Sequence, residues 1–344
     1  MRDFNVLMTC CGMHVKGRID CLRDNEDHAN VKVYACNADE SKLPPKGFTD
    51  GDFVAPWLND KEYLPFLLKL CRKLRIDIVV PTVTLELEYM AKNAHYFTAK
   101  GIKVAISSPK TIDVANDKIK LHQRYKSLMP LQLITHDWKD VISFSKSLPQ
   151  GSKMCCKLSD HAGGNGFAIV DDEKAIDPTL FNRFATDRYI SMRDLKDIVE
   201  KGTHEVLLQE YKEGYDYSVC VLANCGVVSH MVGIAGHVMS YGAIMSGEIE
   251  YNLIAYRIAK NICRELKIDG NACFDFRIGK DGKPTLLEIN PRVSASLPFV
   301  KEAGVNMLYL RCKNLLGNYD DVVQDDKIRY GLKMRKYYDT VYYE

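Results

Sequence analysis

The sequence predicts a doubly wound α/β domain followed by an α+β region built mostly of antiparallel strands. Three observations carry this. Up to about residue 112, short apolar runs alternate with longer segments of helical spacing, which is the pattern of βαβ units. Beyond that point, strands are joined by hairpin signals with helices set between them. The 344 residues are also enough for about two domains of ordinary size.

In the first part, Phe4–Thr9, Val31–Cys36, Ile76–Pro81 and Ile102–Ser107 read as strands. Residues 63–75 and 87–100 have helical spacing. In the second part, Asp117 is placed to cap a helix running to Met129. A strand, glycine-rich loop and strand then follow at 154–170 (MCCKLSDHAGGNGFAIV). Next come strands at 205–211 and 217–222, a helix at Leu253–Leu266 and a hairpin over 273–290. Residues 330–344 alternate and are rich in tyrosine, which predicts a closing strand with packed rings. From Tyr217 to Gly247 there is no Asp, Glu, Lys or Arg. A membrane helix needs roughly 20 apolar residues, but Asn224-Cys225-Gly226, Ser229-His230, Gly233 and Gly236 interrupt this run. It reads as buried β-structure with a turn at Asn224–Gly226.

Composition narrows the function. The 47 basic and 45 acidic residues leave a net charge of +2, so nothing draws the whole chain to nucleic acid. With 46% hydrophobic and 27% charged residues the chain reads as soluble and globular, with no membrane partner. The start, MRDFNVLMTCCGMH, lacks the basic and long apolar regions of a secretory leader, which predicts a cytoplasmic protein. Twelve cysteines without a C-x-x-C, including the adjacent pairs Cys10-Cys11 and Cys155-Cys156, predict free, mostly buried thiols. No G-x-G-x-x-G follows the first strand (Thr9 to His14), which argues against a nicotinamide oxidoreductase despite Asp39 after the second.

Residues 274–292, FDFRIGKDGKPTLLEINPR, are the most informative stretch. Asp281-Gly282 favours a two-residue hairpin turn, which would set Lys280 against Lys283 and Asp275 against Glu288. Asn290 falls on the same face as Glu288. Opposed carboxylates repel unless a positive group lies between them, and hard oxygen ligands with an amide beside them suit Mg²⁺. The alternative is a solvated face, with Pro284 lengthening the turn. The loop His161-Ala162-Gly163-Gly164-Asn165-Gly166, preceded by Lys157, offers backbone N–H groups and a point charge to phosphates. A plain flexible turn is its alternative. Gln209-Glu210-Tyr211-Lys212 closes an apolar strand and Asp216 follows, which offers main-chain groups to a purine edge and an acid to ribose hydroxyls.

In this order the pieces resemble the ATP-grasp enzymes, and within them the carbamoyl-phosphate-synthase-like branch. The matching residues are Asp117-Lys118, Lys157 with GGNG, LLQEYKEGYDYSV (207–219), and Asp275 with LLEINPRVSAS (286–296). The resemblance implies a pre-ATP-grasp domain over 1–112, one grasp lobe with the glycine-rich loop over 113–204, and a second with the metal site over 205–344. It implies that Lys118 and Lys157 contact ATP phosphates under Gly163, Gly164 and Gly166. Glu210, Tyr211 and Lys212 would hold adenine, with Asp216 on the ribose. Asp275, Glu288 and Asn290 would bind one or two Mg²⁺, with Mn²⁺ as an alternative. Arg292, with Lys157, would steady the transferred phosphoryl group. The implied activity is an ATP-dependent ligase joining a small-molecule carboxylate, such as an amino acid or sugar acid, to an amine through an acyl phosphate. Carboxyphosphate and carbamate chemistry, or nucleotide binding without catalysis, are the alternatives. The resemblance also allows a homodimer.

The chain departs from that family in two ways. The segment 233–247, expected to form a substrate-holding loop, has no lysine or arginine where many relatives hold their substrate, which leaves His237 as a stand-in. It also carries a single grasp module, whereas a carbamoyl-phosphate synthase large subunit has two. In the first domain, Cys11-Gly12-Met13 and Thr82–Glu86 follow strands, the place where α/β sheets bind ligands. Glu86 and Glu88 are candidates to face the acceptor, or simply to lie in the first turn of a helix beginning near Thr84.

Overall fold

The structure is a computed structural model that describes residues 2–12, 15–158, 167–175, 189–202, 205–240, 242–318, 327–337 and 339–342. The first domain is a parallel sheet of β1 (Phe4–Thr9), β2 (Val31–Asn37), β3 (Gly51–Val54), β4 (Ile78–Pro81) and β5 (Lys103–Val104), in the order β3-β2-β1-β4-β5. Alternate side chains go to opposite faces. Val6, Met8, Val33 and Val80 pack toward the helix Val15–Arg23, while Leu7, Cys36 and Val79 pack with the helices Tyr63–Leu74 and Leu87–Thr98. The expected doubly wound domain is present. Its strand β3 was missed, because GDFV is too short and polar to stand out.

A second sheet contains β6 (Gln132–Thr135), β7 (Lys153–Leu158), β8 (Ala168–Val170), β9 (Tyr189–Ile190) and β10 (Val206–Tyr211), in the order β6-β10-β7-β8-β9. It packs on the helices Trp138–Ser147 and Met192–Lys201 around Val141, Phe144, Leu195 and Leu208. Strand β10 runs between β6 and β7, so a division at residue 204 separates it from the sheet it bonds to.

The third sheet comprises β11 (Tyr215–Asn224), β12 (Val227–Ser240), β13 (Ala243–Ile249), β14 (Gly270–Ile278), β15 (Pro284–Asn290) and β16 (Lys333–Arg335), in the order β15-β14-β11-β12-β13-β16. The charge-free run supplies β11 from Tyr217 onward, β12 and most of β13. Cys225 and Gly226 both have positive φ, 47° and 92°, which makes the predicted turn a tight two-residue hairpin. One face of this sheet buries Tyr217, Val219, Phe274 and Phe276 under the helix Leu253–Leu266. The expected closing strand shortens to β16, and Tyr337 and Tyr342 are exposed instead of packed.

The β14–β15 hairpin corrects the predicted turn. Gly279 donates to Lys283 O (3.1 Å), which closes a three-residue loop with Gly282 at φ 75°. Pairing near the loop therefore sets Leu286 against Phe276, and not against Arg277. A bulge at Leu287 restores the register, so Asp275 does face Glu288. Leu286 thereby joins the core while Glu288 points into the cleft.

Candidate active site

A cleft of about 1460 Å³ opens between the second and third sheets and reaches the ends of β1 and β4. Among the sequence-predicted residues, Lys118, Lys157, Glu210, Tyr211, Lys212, Asp216, Asp275, Glu288, Asn290 and Arg292 all line it. Gly163, Gly164 and Gly166 lie outside the described residues.

Local structure places each of these groups. Asp117 accepts from the N–H of Ile119 and Lys120 (2.8 and 3.0 Å), which caps the helix Lys118–Tyr125. Lys118 is thereby fixed at the first helical position, on the cleft. Burial and the charge of Lys157 lower its pKa, against the pull of Glu288. Lys157 enters from β7 with its ammonium 5.7 Å from the Phe167 ring centre. Glu210, buried at the end of β10, accepts from Lys212 Nζ at 2.6 Å. Asp216 accepts from Arg277 (3.2 Å), and that guanidinium also lies over the Tyr211 ring.

The connection from β10 to β11 is tied down by Gly214. Its φ is +136°, and a Cβ there would stand 1.9 Å from the Ile278 carbonyl oxygen. Only glycine fits this link between the two sheets.

On the floor of the cleft, Asp275 is paired across the ladder with Ser218 on one side and Glu288 on the other. Its carboxylate accepts from Ser218 Oγ (2.6 Å), Asn290 Nδ2 (2.8 Å) and Cys273 Sγ (3.4 Å). Burial and the facing Glu288 push Asp275 up to about 6. Glu288 moves the other way. Burial opposes its ionisation, but Lys157 and Lys118 across the cleft, with the Asn290 amide, hold it below the usual glutamate range. Two carboxylates about 4 Å apart at an effective dielectric of 20 repel by roughly 4 kcal/mol. The Asn290 amide N–H, which also reaches Glu288 (3.2 Å), relieves part of this. Two half-buried hard carboxylates with a carboxamide between them and lysines opposite fit a divalent cation that also carries phosphate oxygens.

Arg292 donates to Thr84 Oγ1 (3.2 Å), to the Val293 carbonyl (3.0 Å) and to Asn290 Oδ1 (3.4 Å), which ties the floor to the first domain. Sequence reasoning missed Ser218, Arg277 and Thr84. The first two become legible only once the β11–β14 register is known, and Thr84 only once the domains are docked.

Two expectations need correction. Glu86 does not face the cleft. It is fully buried, accepting from Thr9 Oγ1 (2.7 Å), Tyr63 OH (3.3 Å) and the Thr82 and Val83 N–H groups (2.9 and 3.4 Å). Glu88 is on the lining but engages Lys92 one helical turn on. The stretch 233–247 is chiefly the strands β12 and β13, with exposed His237 on the cleft wall.

Comparison with known proteins bears on this arrangement. Residues 202–339 match the family described as ATP-grasp in the biosynthetic pathway with Ter operon, and residues 6–105 match the PylC-like N-terminal domain. The carbamoyl phosphate synthase large chain of Buchnera aphidicola is 26% identical over 227 residues, 62% of this chain and 19% of that protein. The chain thus spans about one fifth of the curated relatives it matches. Among solved structures, an L-amino acid ligase from Bacillus licheniformis superposes with a TM-score of 0.66 at 16% identity, covering 96% of this chain and 78% of that one. An N5-carboxyaminoimidazole synthetase from Staphylococcus aureus, complexed with ADP, gives 0.67 at 13% identity over 94% and 80%. At these identities the structural likeness is one of fold. Among the described residues, no helix is long and apolar enough to cross a membrane.

Proposed function

We propose that this chain, which belongs to the ATP-grasp superfamily, is an ATP- and Mg²⁺-dependent ligase that joins a small-molecule carboxylate to an amine. One observation carries the reading: the Asp275–Glu288 pair, with Asn290 between them, faces Lys118 and Lys157 across one cleft. Such a site would neutralise a polyphosphate from both sides, the lysines directly and the carboxylates through the divalent cation they would hold, and phosphoryl transfer asks mainly for positioning and charge neutralisation.

In this reading Lys118 and Lys157 hold the phosphates. Glu210 and the main chain of Tyr211 and Lys212 take the adenine, and Asp216 the ribose. Asp275, Glu288 and Asn290 would hold Mg²⁺, which would offset the charge of the phosphates. A substrate carboxylate oxygen attacks the γ-phosphorus, the bond to the β–γ bridging oxygen breaks, and ADP leaves. Arg292 steadies the resulting acyl phosphate. The amine then attacks the carbonyl carbon, loses a proton, and expels inorganic phosphate.

The test is phosphate and ADP release over a panel of carboxylates, bicarbonate included, crossed with amines. Release that needs both partners is expected. AMP and pyrophosphate as products would overturn the acyl-phosphate route. Glu288→Gln is expected to lower turnover by about 100-fold or more while ATP binding weakens far less, because this carboxylate would hold the Mg²⁺ that offsets charge in the transition state. Nucleotide binding without turnover on any pair would leave a binding module.

A further inference from the structure

Beyond the lysines, Arg292 and the Arg277 that pairs with Asp216, the cleft lining includes a further cation, Arg18. Arg18, on the helix Val15–Arg23, is only 5% exposed yet belongs to the lining of the cleft, as do Gly12, Ser294 and Ser296. One terminal nitrogen donates to the Val293 carbonyl (3.3 Å), the same oxygen that receives Arg292 (3.0 Å). Among the described residues its Nε has no hydrogen-bond partner. Lys336, following β16, lies near Arg18 with Nζ 3.5 Å from the Ala295 carbonyl. Burial and the neighbouring Arg292 lower Arg18 to about 10, and burial and Arg18 lower Lys336. Three cations thus converge, and among the described residues none of them has a carboxylate partner.

The chain treats its other buried arginine differently. Arg311 forks onto Asp269 at 2.7 and 3.2 Å, and it also leaves an Nε without a partner. What sets Arg18 apart is the missing counter-charge and its place on the cleft. A buried guanidinium without a counter-ion is costly, and its planar fork matches a carboxylate.

We propose that Arg18, with Lys336 behind it, binds a carboxylate of the substrate pair that takes no part in the reaction. This rests on the ligase reading and names the substrate class. Arg292 is committed to the acyl phosphate, so Arg18 answers to a second negative group. It also supplies, from the first domain, the basic residue that 233–247 lacks. The shared chemistry is a spectator carboxylate, which has two sources: the second acid of a dicarboxylate donor, or the α-carboxylate of an amino acid nucleophile.

The experiment uses the full chain. Dicarboxylates and their half-amides are paired with simple amines, and monocarboxylates are paired with amino acids or amino acid amides, while phosphate release is followed. Whichever arm prefers the charged partner by about tenfold or more in kcat/KM identifies the source. Arg18→Met is expected to erase that preference through KM with the KM for ATP unchanged, and Arg18→Lys to keep part of it. Lys336→Met is expected to weaken it. In parallel, calorimetry titrates the charged and amidated compounds into wild type and Arg18→Met, without turnover. If no pair turns over, the ligase reading fails, and the calorimetric arm still decides on Arg18. Equal binding of charged and neutral members to wild type, binding of none, or unchanged discrimination in Arg18→Met would overturn the proposal.

Discussion

A carboxylate buried with hydrogen bonds but no ion pair among the described residues ties stability to pH, and Glu86 is in that position. Burial raises its pKa, while hydrogen bonds from Thr9, Thr82 and Val83 pull the other way without prevailing. A carboxyl raised in the folded state contributes its full support below the ordinary glutamate value. That support is lost as pH climbs toward the raised value, at about 1.4 kcal/mol for each pH unit separating the two. Glu86→Gln escapes the loss, since the Thr9 and Tyr63 hydroxyls can rotate to accept from its amide. The variant is expected to melt above wild type at pH 7.5 and level with it or below at pH 4. Melting curves at the two values check this, and a constant offset between them would count against it. Residues differ in how far the sequence reveals them. Asp275 and Glu288 were legible as acidic positions in a hairpin with a clear turn signal, although their facing register depends on the bulge at Leu287. Arg18 was not, because an arginine on a short helix normally faces water, and only the docking of two domains closes over it.

At the scale of elements, the link between β10 and β11 bears most on the site. Gly214→Ala forces a Cβ toward the Ile278 carbonyl at a φ that only glycine adopts easily. The expected cost is about 2–4 kcal/mol. Denaturant titration measures that, and a raised KM for ATP should accompany it because Tyr211 and Lys212 lie next to the link. Strand and helix positions were readable wherever apolar runs were long, as in β1, β11 and the helix Leu253–Leu266. The hairpin loop was misjudged because Asp281-Gly282 serves a three-residue loop as well as a two-residue one. The bulge at Leu287, which no local signal announces, then cancelled the error at Asp275. Short strands such as β3, β6 and β9 carry too few side chains for any period to show.

Across the whole molecule, the cores are shared unequally. One cluster joins Val6, Met8 and Val33 of the first sheet to Val300, Leu308 and Tyr309 of the helices Leu297–Glu302 and Met307–Leu315, and to Ile234 and Cys273 of the third sheet. Gly17 sits so close to Pro298 that a Cβ would meet the ring at 2.5 Å, and Asn306 Nδ2 donates to the Cys21 carbonyl (2.6 Å). The second sheet keeps a core of its own. The first domain and the third sheet should therefore unfold together, with the second sheet opening separately and at lower free energy. Hydrogen exchange checks this: amides of β10 are expected to exchange before those of β1 and β11, and equal rates would contradict it. The sequence marked two folding regions but not this partition, because which strand face meets which helix is a long-range property.

The turn at Cys225 and Gly226 has a practical consequence. Of the twelve cysteines, ten are buried and Cys10 is half-buried; Cys225 alone is exposed. It sits at the far end of β11 from Asp216 and is absent from the cleft lining. A thiol-reactive fluorophore added to the native chain should therefore attach at one place, without a cysteine-free background having to be built. Anchored there on the third sheet, it would serve as a reference from which a second label on the second sheet could report whether the distance between the two sheets changes when ATP is added.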